Sequence, residues 1–151
     1  MTSSVKKKNI DYIFVALLLL ILIERIFFLL YEGIDVYGGS DDKGYVEAGI
    51  LFAKTGIISI WGDLPSAMAM PFTVFIIGII SKVFGEGMLF LGVCKALWIL
   101  MAMCSAFVTY KTVRLFLPKW CADLSVAPFL LPNFAWSDKI LSTETPYILF
   151  F

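Results

Sequence analysis

The sequence predicts an all-α integral membrane protein: about three transmembrane helices, an extracytoplasmic loop with short interfacial helices, and the start of a fourth span. Three observations lead there. Hydrophobic residues make up 60% of the 151 residues and charged ones 16%, and mean hydropathy is +0.91, more apolar surface than a water-soluble domain of this size buries in one core. The apolar residues gather in runs, two of them as long as a bilayer is thick. Basic residues flank those runs on what the positive-inside rule makes the cytoplasmic side. Residues 1–151 read as one transmembrane domain.

The formal net charge is +0 and histidine is absent. Nothing points to nucleic acid, and Ser-His or Cys-His catalysis and histidine-bound metal are excluded, which leaves carboxylates and lysines as acid–base groups. Cys94, Cys104 and Cys121 lie in or beside apolar segments without CxxC spacing, so they read as buried free thiols.

Lys6, Lys7 and Lys8 precede the first run and place the N-terminus in the cytoplasm. Residues 12–31 supply the roughly 20 residues a helix needs to cross about 30 Å of hydrocarbon. The run is longer than a signal-peptide core and no A-x-A-like site follows it, so it reads as a retained span. Glu24 and Arg25, in its outer third, read as a pair snorkelling outward at the interface.

The loop that follows, 32–71, is extracytoplasmic. It opens on Gly38-Gly39-Ser40-Asp41-Asp42-Lys43-Gly44-Tyr45-Val46-Glu47-Ala48, a dense group of ionisable residues in so apolar a chain. A short amphipathic helix is expected over 43–54, with Tyr45, Ala48, Leu51 and Phe52 on its apolar side. A turn-rich stretch, Gly62-Asp63-Leu64-Pro65-Ser66, comes next. Asp41 and Asp42 after Gly-Gly-Ser also suit a helix N-cap, a role compatible with chemistry because a helix start fixes the direction of a carboxylate.

Residues 72–84 are too few for a crossing and read as an interfacial or re-entrant helix. The next basic cluster, Lys111, Arg114 and Lys119, belongs inside, so an even number of crossings separates it from Lys6. Residues 12–31 and 88–110 supply two. A third, 120–136, is expected to bend at Pro128 and Pro132 and to deliver Glu144 to the outer side, and 146–151 start a further apolar run. Within 88–110, Gly92 with Ala96 and Ala102 with Ala106 have the spacing of close helix packing. Trp61, Trp120 and Trp136 read as interfacial anchors.

Four groups of residues carry a resemblance. Ser40 to Ala48, then Ala53-Lys54-Thr55-Gly56, then Met70-Pro71-Phe72 leading to Val83-Phe84-Gly85, then Leu141-Ser142-Thr143-Glu144-Thr145-Pro146, taken in order, resemble the amino-terminal part of the polyprenyl-phosphate-sugar-dependent C-type glycosyltransferases. This is the superfamily of protein mannosyltransferases and lipid A aminoarabinose transferases. The resemblance implies a multi-pass enzyme of the cell membrane that moves a sugar from a polyprenyl phosphate carrier to an extracytoplasmic acceptor hydroxyl, with membrane lipids as its other partners.

The resemblance also implies roles. Asp41 would be the general base and Asp42 its helper or a metal ligand, with Lys43, Tyr45 and Glu47 lining the substrate. Glu144 would be the second acidic position, holding the acceptor or, with Asp42, a divalent metal. Lys95, about 10 Å inside 88–110 at 1.5 Å per residue, would meet the donor phosphate, and snorkelling is the competing account of it. Met70 and Gly44 stand where the aminoarabinose branch has basic residues, so that specificity is not implied. The 151 residues would be the front of such an enzyme, inactive alone. A small non-catalytic multi-pass protein, an accessory subunit or truncated remnant, is the alternative, and a transporter component using Lys95, Glu24 and Arg25 is the third.

Overall fold

The computed structural model describes residues 11–35, 40–60, 65, 70–139, 141 and 143–150. Among the described residues the chain is all-helical: α1 (Tyr12–Glu32), α2 (Ser40–Thr55), α3 (Pro71–Phe84), α4 (Met88–Phe116), α5 (Lys119–Val126), a 3-10 turn (Ala127–Leu130), α6 (Pro132–Lys139) and α7 (Glu144–Phe150). Two of these, α1 and α4, are long and apolar enough to cross a membrane. The turn-rich stretch around Gly62 and the anchor Trp61 lie outside the described residues.

Asp11 caps α1, accepting from the Phe14 N–H, and the helix buries only Phe14, Ile21 and Arg25. These three share one face, because steps of seven and four residues return a helix to nearly the same direction. The other faces leave Tyr12, Ile13, Leu19, Leu20, Ile23, Phe27 and Leu30 uncovered along the whole length.

Helix α4 is the central post. Its 29 residues extend past the expected end at 110 to Phe116, for about 43 Å at 1.5 Å per residue. Phe14 stacks on Tyr110 at 3.8 Å between ring centroids, whereas the Gly92 end faces Ile34, so α1 and α4 run antiparallel. Two core clusters follow from this. One joins Phe14 and Ile21 to Ala106, Tyr110, Ala122, Val126 and Phe129. The other joins Val46, Ile77 and Ile80 to Phe90, Leu91, Cys94, Trp98, Met101 and Leu141.

Helix α3 has the short length expected, 14 residues. Its buried face, Thr73, Val74, Ile77, Gly78, Ile80 and Ser81, packs on α2 and α4. The turn into α4 uses Gly85 at φ 76° and Gly87 at φ 137°, backbone that side chains with a Cβ rarely adopt.

The segment 120–136 is not one bent helix. Pro128 sits in the 3-10 turn and Pro132 begins a new helix, each where proline's missing N–H costs nothing. Among the small-residue pairs, Ala102 and Ala106 are buried, whereas Ala96 is exposed and a Cβ on Gly92 would meet nothing nearer than 3.9 Å. The cysteines are free, but only Cys94 is buried and Cys104 is exposed. Trp120 is exposed, as an anchor would be, and the side chain of Trp136 lies outside the described residues.

Candidate functional site

Helix α2 begins at Ser40, three residues before the expected start, so the acidic pair forms its first turn. The side chain of Asp41 lies outside the described residues. Asp42 is 2% exposed, and its Oδ1 accepts the Lys43 N–H at 2.9 Å. The buried side of α2 is therefore Asp42, Val46, Ala48 and Gly49, with Tyr45, Leu51 and Phe52 half-buried beside it. It is rotated by part of a turn from the expected apolar side.

Lys43 and Glu47 point away from this face. They are 66% and 61% exposed and pair loosely with each other at 3.7 Å. Tyr45 packs against the core beneath α2. Among the expected substrate-lining residues of α2, then, Tyr45 turns inward and Lys43 and Glu47 stand on the open side.

Lys95 does not snorkel. It is 3% exposed on α4, between the cluster members Leu91, Cys94 and Trp98. Asp42 lies one helical turn before Val46, a member of the same cluster. Asp42 and Lys95, both buried, thus border one apolar cluster from two helices, and Thr145 is buried in α7. Nothing in the sequence singles out Thr145 beside Glu144.

Arg25 overturns the outward-snorkelling expectation. It is 0% exposed, and its Nη1 donates to Glu24 Oε2 at 2.7 Å. The face it shares with Phe14 and Ile21 turns it into the protein, with Glu24 part-exposed beside it.

Glu144 opens α7 and is exposed. It lies on a groove shared by Met70, Thr143, Tyr147 and Ile148. That groove continues into an apolar cleft of about 310 Å3 between the start of α3 and α7, lined by Phe72, Thr73, Pro146 and Phe150. Glu144 therefore faces an open apolar surface, whereas Asp42 is enclosed. Among the described residues no three carboxylate or thiol groups come together to hold a metal ion. Asp42 and Glu144 do not form a metal set by themselves.

A second polar group, unforeseen from the sequence, lies at the opposite end. Asp11 accepts from the Tyr110 hydroxyl and pairs with Lys119 at 3.0 Å, tying α1, α4 and α5 together. Burial works against the charged form of Asp11, but hydrogen bonds from Tyr110, Lys119 and the Phe14 N–H, with the charge of Lys119, outweigh it and hold the carboxyl below its usual value. Asp123 Oδ1 is buried nearby with no hydrogen-bond partner among the described residues.

Comparison with family models, curated proteins and solved structures finds no match to this chain.

Proposed function

We propose that the chain is the membrane domain of a glycosyltransferase, an integral membrane protein that moves a sugar from a polyprenyl phosphate to an acceptor hydroxyl outside the cell membrane. The observation that carries the reading is the enclosure of a carboxylate and an ammonium, Asp42 and Lys95, around one otherwise apolar cluster. Buried ionisable groups in a lipid-facing protein are costly, and sites of chemistry or transport are where they persist. The resemblance carried by Ser40 to Ala48 and Leu141 to Pro146 supplies the type of reaction.

The uncovered apolar face of α1 supports lipid surroundings, since water-soluble monomers rarely leave so long an apolar face open. A third crossing is supported by the way α5, the 3-10 turn and α6 climb along α4. Ala122 packs with Tyr110 near the foot of α4 and Leu141 with Phe90 and Leu91 near its head, and at standard rises the path covers about 30 Å. The lysines Lys6 to Lys8 and the basic residues Lys111, Arg114 and Lys119 support a cytoplasmic foot.

In this reading Asp41, in the first turn of α2, takes the proton from the acceptor hydroxyl. The acceptor oxygen then bonds to the anomeric carbon, and the bond from that carbon to the carrier phosphate breaks with its electron pair going to phosphate oxygen. Lys95 meets the charge that develops there. Asp42 and Tyr45 fix the first turn of α2 against the core, and Glu144 holds the acceptor at the open groove.

The test is Asp41→Asn in the full natural chain, assayed for sugar transfer in membrane vesicles together with a measure of insertion. Loss of transfer with normal insertion is expected. Retained transfer would sink the reading.

A further inference from the structure

We infer a site for an anionic phospholipid headgroup of the outer leaflet between α2 and α3, apart from the acidic turn and Lys95. A cleft of about 410 Å3 opens there, with Phe52, Phe75, Gly78 and Ile79 as its apolar part and Lys54 and Lys82 as its cations. Phe75 and Ile79 are exposed, so the apolar part is open to an acyl chain, and both lysines are exposed as well.

Charge names the occupant. Lys54 pairs with Glu86, and Lys82 has no ion-pair partner among the described residues. Two cations and one carboxylate leave the mouth with a net positive charge. Placement agrees with it. Lys82 lies in the last turn of α3, and after the turn at Gly85 and Gly87 the chain enters α4 at Met88. Where α4 enters the bilayer, the residues just before it stand at the level of lipid phosphates. An apolar cleft with a cation at phosphate height fits an amphiphile with an anionic head better than a free anion, for which Phe52, Phe75 and Ile79 offer nothing.

The gap exists because of packing. Helices α2 and α3 meet at Gly49 and Gly78, and beyond that contact Phe52 and Phe75 tilt against each other at 5.7 Å, 54° apart, so the two helix ends do not close over the space. The inference rests on α4 as a span and on no sugar chemistry, so an inactive protein tests it equally well.

The full chain would be placed in nanodiscs of phosphatidylcholine and phosphatidylglycerol, released, and weighed by native mass spectrometry. One phosphatidylglycerol should remain bound in preference to phosphatidylcholine. Lys82→Ala and Lys54→Ala should each lower its retention about fivefold, the ~1 kcal/mol of one basic residue at an anionic membrane surface. Lys111→Ala, at the other end of α4, should leave it unchanged. Unaltered retention in both cleft variants, equal retention of phosphatidylcholine, or displacement of the lipid by millimolar inorganic phosphate would overturn the inference.

Discussion

Gly49 of α2 and Gly78 of α3 touch backbone to backbone. A Cβ on Gly49 would stand 2.5 Å from Ile77 Cγ2, 2.8 Å from Ile77 Cβ and 3.2 Å from the Gly78 nitrogen, and one on Gly78 would stand 3.0 Å from the Gly49 carbonyl oxygen. A methyl group on Gly49 forces the two helices apart, whereas one on Gly78 requires the Phe52 ring to turn and the Gly49 carbonyl to give slightly.

Gly49→Ala should therefore separate α2 from α3 at a cost of about 1–3 kcal/mol, the usual range for overpacking, even though alanine is the better helix former. Gly78→Ala should cost less, because the closest atom it meets, Phe52 Cδ1 at 2.6 Å, belongs to a ring that can turn. Thermal unfolding in detergent would rank them. Equal stability of both variants and the parent would contradict the packing.

The foot of the bundle should be acid-sensitive through Asp11. Its carboxyl is held below its ordinary value in the folded protein, so its stabilising effect is complete above the unfolded value near 3.8 and is lost as pH falls through the lower folded one. The melting temperature of Asp11→Asn should be lower than that of the parent at neutral pH, and the difference should shrink below about pH 4, the ordinary carboxylate range. Parallel melting curves for the two proteins from about pH 6 to pH 3, on either side of that range, would contradict it.

Arg25 and Glu24 should differ in what their loss costs. Arg25 is wholly enclosed and Glu24 keeps 23% of its side chain open. Glu24→Gln retains an acceptor at hydrogen-bond distance and should cost about 1 kcal/mol, whereas Arg25→Ala removes a filled volume and strands its partner, for about 3 kcal/mol or more. Unfolding titrations with a denaturing detergent would separate these. A larger loss for Glu24→Gln would mean that the arginine is held by something other than its position on the buried face.

Lys95→Met should discriminate chemistry from packing. Methionine fills nearly the same volume in the cluster of Leu91, Cys94 and Trp98, so the apolar packing is kept, while transfer by the full natural chain should fall on the order of a hundredfold, as when a group facing developing charge is removed. A normal rate would assign Lys95 to structure alone.

Hydropathy makes α1 and α4 legible, because apolar runs of bilayer length rarely form anything but helices that span or fill a core. The end of α4 is less so. Lys111 and Arg114 end the apolar run, but both are good helix formers and the backbone continues through them to Phe116. Depth in the run alone points Arg25 outward, although its spacing from Phe14 and Ile21 places it on the buried face. Pro128 and Pro132 announce a disturbance in 120–136, and proline chemistry by itself does not say whether it is a kink or two separate helices.

Close contacts are the least legible. The Gly92 and Ala96 spacing suggests one that is not found among the described residues, whereas Gly49 and Gly78, far apart in sequence, form one that no local pattern marks. The acidic pair can be placed at a helix start, but which member faces the core depends on where Val46 packs against α4, and that is a property of the tertiary fold.

The bond between Tyr110 and Asp11 joins residues 99 positions apart. At ribosomal rates of about 5–20 residues per second, α1 therefore waits on the order of 5–20 s before the far end of α4 reaches it. During that wait Arg25 has none of the tertiary cover that buries it in the folded chain. Glu24, its immediate neighbour in sequence, needs no tertiary structure to reach it. In the finished protein the adjacent carboxylate is a modest contact, and during synthesis it is the counter-charge already at hand for an arginine that the fold has yet to bury.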